Sequence, residues 1–193
     1  MARTEIRVTG FGGQGIILSG YIIGKAAALY EGKNSTLNQS FGPEARGSAC
    51  SAQVIISDEE IHYPYIRTPR ILIAMSQEAF TKYKSEVGKD GIMLIDGDLV
   101  KPGNLRRKIK LYSIPATRIA EELGRKIVLN IVMLGFFTSI TGLIDKEAMR
   151  KAVLNSVPKG TEELNLKAFE KGYEYGVKYK KEAKKSKRVK LKN

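Results

Sequence analysis

The chain contains one cysteine, Cys50, and one histidine, His62, in 193 residues. A single thiol excludes an internal disulfide. It also excludes an iron–sulfur cluster or a thiolate zinc site built from this chain alone, because each needs several sulfur ligands. A lone histidine completes no Ser–His–Asp or Cys–His constellation and reads as a structural or surface group. Tryptophan is absent. So is a long unbroken apolar run: the longest uncharged stretch, Ile127–Ile144, has the length of a short membrane span. However, Asn130, Gly135, Thr138, Ser139, Thr141 and Gly142 interrupt it, and it reads as a buried core helix. The opening MARTEIRV enters a strand with no apolar leader, which gives the expectation of a cytoplasmic protein.

What is present is ordinary for a soluble domain: 42% hydrophobic and 27% charged residues, in a length that supports one core. Of the formal net charge of +13, +8 lies in residues 178–193, KYKKEAKKSKRVKLKN, and only +5 on residues 1–177. The division predicted is a single folded domain over 1–177 and a basic, flexible tail over 178–193, too rich in like charge and too poor in apolar side chains to pack. The tail is either solvated without a partner, a steering element for an acidic protein, or a loose contact for anionic surfaces. No helix-turn-helix, zinc or aromatic-rich signature accompanies its lysines, so nucleic acid is not an expected partner.

Periodicity predicts strands at Thr4–Thr9, Asn34–Ser40, Ser51–Ser57, Arg70–Ala74, Gly91–Asp96 and Lys110–Ile114. It predicts helices at Gln14–Tyr30, Gln77–Glu86, Ala116–Leu123, Leu129–Ser139, Asp145–Ser156 and from Thr161 into the tail, with Asp145 an N-cap and Gly124 a C-cap. Strands alternating with helices and closing in helices predict an α/β fold: a three-layer α/β/α sandwich, Rossmann-like, with a mostly parallel sheet and a helical C-terminal region.

Two loops stand out. The first, GFGGQG at 10–15, has the G-x-G-x-x-G order of a dinucleotide turn. Such a site also needs an acid at the end of the second strand for the ribose, and here Phe41-Gly42-Pro43 follows Ser40, while Glu31 precedes the strand. A free-standing NAD-dependent oxidoreductase is therefore the more distant reading. Gly13, a further glycine, suggests something seated closely on the loop, either a phosphate at the helix N-terminus or protein. The second loop, SFGPEARGSAC at 40–50, sets Glu44 and Arg46 between glycines in a stretch stiffened by Pro43. It suits bidentate recognition of a carboxylate, phosphate or partner side chain, or simply closes on itself through a Glu–Arg pair. Asp96 and Asp98 in IDGD read as a polar turn rather than a magnesium site. Cys50 reads as a small buried residue.

GFGGQG followed by FGPEARG (41–47) resembles the gamma subunit, or gamma domain, of the 2-oxoacid:ferredoxin oxidoreductases. The resemblance continues through VIISDEEIHYP (54–64), ILIAMSQEAFTKY (71–83), LIDGDLV (94–100), IPATRIAEELG (114–124), NIVMLG (130–135) and NLKAFEKGYE (165–174). Ser48 replaces a usual glycine, and Arg70 stands where an acid is common. The form of the motifs is closer to the 2-oxoglutarate type than to the pyruvate type, with the pyruvate and branched-chain enzymes as alternatives. The resemblance implies an oxidative decarboxylation of a 2-oxoacid to an acyl-coenzyme A with reduction of ferredoxin. It implies a hetero-oligomer with alpha, beta and delta subunits that carry thiamine diphosphate, magnesium and iron–sulfur clusters. The gamma chain itself is implied to bind no cofactor alone and to hold no catalytic residue, and a homodimer of the isolated chain stays open. Gly12, Gly13, Gln14, Gly15, Gly42, Pro43, Glu44, Arg46 and Gly47 are the residues expected to meet at one sheet edge. There they either contact partner subunits or help seat coenzyme A.

Overall fold

The computed structural model describes residues 3–40, 49–105 and 108–190, with side chains to residue 183. Six strands, β1 (Thr4–Phe11), β2 (Asn34–Ser40), β3 (Ala49–Ser57), β4 (Ile71–Ala74), β5 (Ile92–Asp96) and β6 (Lys110–Ile114), form one sheet in the order β2-β3-β1-β4-β5-β6. Strands β1, β4, β5 and β6 are mutually parallel, whereas β3 runs antiparallel to both β1 and β2. The reversed strand has a simple cause. Only eight residues separate Ser40 from Ala49, too few for the crossover that a parallel neighbour requires.

One face of the sheet carries α1 (Ile16–Lys25), α3 (Ala116–Glu122), α4 (Leu129–Thr141), α5 (Lys146–Leu154) and α6 (Glu162–Lys190). Ile6, Val8, Val54, Ile73 and Leu94 meet Ile23, Phe136, Met149 and Phe169 in this larger core. The other face is covered by α2 (Gln77–Tyr83), whose Phe80 and Tyr83 pack on Leu72, Ala74, Met93 and Ile95. All four residues of β4 are buried, as a central parallel strand between two layers must be. Helix α2 starts where Ser76 Oγ accepts from the Ala79 amide (3.3 Å), and α5 where Asp145 accepts from Glu147 and Ala148 (2.8 and 3.3 Å). Gly124, at φ 88°, follows the last residue of α3 and its cap.

The run 127–144 becomes a core helix: nearly every residue of α4 is buried. Its close neighbour is α6. A Cβ on Gly172 would overlap the Val132 carbonyl oxygen, and one on Gly135 would overlap that of Phe169. Backbone therefore lies directly on backbone at this crossing. Helix α6 runs past the expected division at 177/178 without a break. Tyr179 packs edge-on against Tyr112 and Phe136 (5.7 and 6.4 Å between centroids), and Lys180 Nζ donates to the Ser139 carbonyl at 2.9 Å. No helix among the described residues is long and apolar enough to cross a membrane.

Candidate functional site

The first loop occupies the carboxyl end of β1, between two strands of the sheet's centre. Its shape is held by Gln14. The Gln14 amide group accepts from Phe11 N–H (2.7 Å) and donates to the Met75 carbonyl (2.8 Å), while Gln14 N–H donates to Phe11 O (3.2 Å). Both ends of the side chain are used inside the protein, tying the loop to the end of β4. At Gly10 a Cβ would fall on the Gln14 Oε1 and Ile16 Cδ1 atoms, so any side chain there would displace the Gln14 brace.

The remaining glycines have two different causes. Gly15, at φ 71°, lies against Asn130, whose Cγ would stand 2.8 Å from an added Cβ, and Asn130 Nδ2 donates to the Gly15 carbonyl at 3.3 Å. Gly13, at φ 95°, has nothing within 4 Å of an added Cβ among the described residues. Its positive φ by itself makes glycine the fitting residue there. Gly12 and Gly13 are exposed.

The second loop, with Gly42, Pro43, Glu44, Arg46 and Gly47, lies outside the described residues. Both of its flanks are described. Phe11, which opens the first loop, pairs with Ala49, and Ser40 pairs with Ser51. The chain therefore leaves β2 and enters β3 at the same sheet edge that carries Gly12–Gly15. Beneath this edge lies Arg7, whose Nη1 donates to Ser51 Oγ (2.8 Å) and Nη2 to Glu86 (2.7 Å), with its guanidinium 4.3 Å from the Tyr83 ring centroid. Neither Arg7 nor Asn130 was singled out from the sequence. A charge between the apolar Ile6 and Val8 of the first strand was the available signal for Arg7.

The smaller candidates resolve into structure. Asp96, fully buried, accepts from Thr117 N (3.1 Å), Thr117 Oγ1 (2.6 Å) and Asp98 N (3.1 Å). Asp98 takes Arg118 N and Nη2 (3.1 and 2.7 Å). The two acids fasten β5 to the first turn of α3, and burial raises the Asp96 carboxyl above its ordinary pKa. His62 is exposed. Cys50 is buried, and burial pushes its thiol pKa up.

Beside the first loop, on its α4 side, a groove of about 320 Å³ is walled by Gly13, Leu18, Ile131, Val157, Pro158 and Leu164, with Arg125 and Ile127 at its margin. Its lining is mostly apolar, with the cation Arg125 and the polar Asn130, Thr161 and Asn165 among it. Among the described residues no group of three or more His, Cys, Asp or Glu could hold a metal ion.

The family profile described as pyruvate ferredoxin/flavodoxin oxidoreductase matches residues 5–175. The 2-oxoglutarate synthase subunit KorC of Methanocaldococcus jannaschii is 54% identical over 174 residues, covering 89% of this chain and 93% of that one. The crystal structure of a keto/oxoacid ferredoxin oxidoreductase gamma subunit from Geobacter sulfurreducens superposes with a TM-score of 0.82 at 40% identity, covering 92% of this chain and 98% of that one. A 2-oxoglutarate:ferredoxin oxidoreductase from Magnetococcus marinus, with 2-oxoglutarate, coenzyme A and succinyl-CoA bound, gives 0.83 at 25% identity, covering 92% of this chain and 31% of that one.

Proposed function

We propose, from the premise that the chain belongs to the pyruvate ferredoxin/flavodoxin oxidoreductase family, that it is the gamma subunit of a 2-oxoglutarate:ferredoxin oxidoreductase. The observation that carries this is the 54% identity to a 2-oxoglutarate synthase subunit along 93% of that subunit's length. The reaction of the whole enzyme takes 2-oxoglutarate, coenzyme A and two oxidised ferredoxins to succinyl-CoA, carbon dioxide, a proton and two reduced ferredoxins.

This chain's part is binding and positioning. Its residues do not fit the redox and decarboxylation groups: one buried thiol cannot hold a cluster, and the described acids at β5 are engaged in capping α3. Thiamine diphosphate, magnesium and the clusters are assigned to alpha, beta and delta partners. Coenzyme A is the group to which this chain contributes, through the Glu44–Arg46 loop. The Arg46 guanidinium suits a phosphate oxygen pair, and the flanks of that loop stand beside Gly12–Gly15. In the same reading the glycine loop meets a partner subunit, with Gln14 as its internal brace rather than a contact.

The test is co-expression with the other subunits and an assay with three 2-oxoacids. Preference for 2-oxoglutarate over pyruvate and 2-oxoisovalerate is expected, and preference for either of the others overturns the substrate assignment. Arg46→Ala is expected to raise the KM for coenzyme A with assembly intact. Unchanged KM removes Arg46 from the coenzyme site.

A further inference from the structure

The groove beside the glycine loop combines four features. Its walls are braced turns rather than loose loops: Val128 N donates to Arg125 O (3.2 Å), Thr161 N and Oγ1 both donate to Pro158 O (3.1 and 2.7 Å), and Asn130 clamps Gly15 (3.3 Å). Its lining is mostly apolar. On its margin Ile127 stands out into solvent at 68% exposure. Around it the charge is unmatched. Glu121 and Glu163 are paired with Lys126 and Lys167, and Glu162 lies in the first turn of α6, where the helix amides favour it. Arg125 and Lys159 are exposed and form no ion pair with a described residue.

We propose that this groove is the docking site for a partner subunit of the oxidoreductase, which inserts one apolar side chain and places a carboxylate beside it against Arg125 and Lys159. The inference rests on the gamma-subunit reading and adds to it the face that binds and the chemistry that is bound. A recess next to a protruding isoleucine is a hole beside a knob. Ile127 lines the recess yet is 68% exposed, so a small molecule filling the recess would cover only its groove-facing side, whereas a protein surface covers the rest as well. A second copy of this chain is disfavoured, because a two-fold contact would set two faces carrying the same unpaired cations, Arg125 and Lys159, against each other. The braced walls mean that little ordering is required on docking. Beyond the positive φ that already favours glycine at Gly13, the exposed, side-chain-free Gly12 and Gly13 let the incoming surface approach the backbone.

The experiment measures binding of the purified chain to the complex of the remaining subunits, with wild type, Ile127→Asp and Arg125→Glu. Both positions are exposed, so the isolated variants should melt as wild type does. Ile127→Asp should weaken binding by about tenfold or more, the order expected for a central apolar contact. Arg125→Glu should weaken it most at low salt. Wild-type affinity for both variants overturns the assignment of this face while leaving the subunit reading intact. Unchanged affinity with a raised KM for coenzyme A overturns it in favour of a small-molecule groove. A wild-type homodimer that Ile127→Asp dissociates overturns it in favour of self-association. Failure of wild type itself to bind overturns both this proposal and the gamma-subunit reading.

Discussion

Gln14 shows how one side chain converts a glycine-rich turn into a fixed surface. Its amide satisfies Phe11 N–H and Met75 O together, so Gln14→Ala removes two part-buried hydrogen bonds at the carboxyl end of β1. A loss of about 1 kcal/mol is expected, the net worth of such bonds, and chemical denaturation measures it. An unchanged midpoint would show the brace to be idle. Cys50 offers a test at the same scale. Burial raises its thiol pKa, so the thiolate fraction at neutral pH falls below that of a free cysteine. Alkylation by iodoacetamide at pH 8 should be slow in the native protein and rapid in denaturant, and fast native alkylation would contradict the burial. The glycines of the loop were legible in the sequence because their constraint is local. Asn130 and Arg7 were not, because their partners lie 115, 44 and 79 residues away and only folding brings them together.

At the scale of elements, periodicity located β2 and β6 to the residue, with Gly32 and Gly42-Pro43 flanking β2 and Pro115 closing β6. The helix expected over Gln14–Tyr30 instead begins at Ile16 and turns π-helical from Ala26 to Tyr30. Gly15 in the left-handed region cannot be a helical residue, which sets the start. The orientation of β3 depends on connection length, a signal that was present in the eight residues after Ser40 and was not used. The α4–α6 crossing depends on Gly172 and on Gly135, which reads as an interruption in sequence and acts as a contact in space. Gly172→Ala sets a methyl group against the Val132 carbonyl oxygen and should cost about 1–3 kcal/mol, typical of an overpacked core. Equal stability would mean that the helices separate freely. The end of α6 makes a second element-level case. Deleting 183–193 should leave Tm nearly unchanged, whereas deleting 179–193 also removes the Tyr179 contacts and the Lys180 bond to Ser139. That longer deletion should lower Tm measurably by calorimetry, and equal melting of the two would place the anchor elsewhere.

For the whole molecule, the described residues bear on the proposed binding and positioning role. The strands of the parallel half end near the loops that a partner would meet, as open α/β sheets arrange their binding edges. The acids and the thiol that a sequence scan would nominate for chemistry are occupied in capping a helix or buried in the core. The basic segment 178–193, which gives the chain much of its charge, lies wholly beyond residues 5–175, the part that the family profile matches. The family was legible from two motifs in register. The docking groove was not, because its walls come from the 12–18, 125–131 and 157–165 regions, which no local pattern connects.

The most direct measurement is an add-back assay. The remaining subunits, purified without this chain, are supplied with 2-oxoglutarate, coenzyme A and oxidised ferredoxin, and succinyl-CoA is followed as the chain is titrated in. The account predicts no turnover by the chain alone, and a rate for the other subunits that rises with added chain and saturates at one copy per set of partners. Turnover by the rigorously purified chain, or a rate indifferent to its addition, would contradict it.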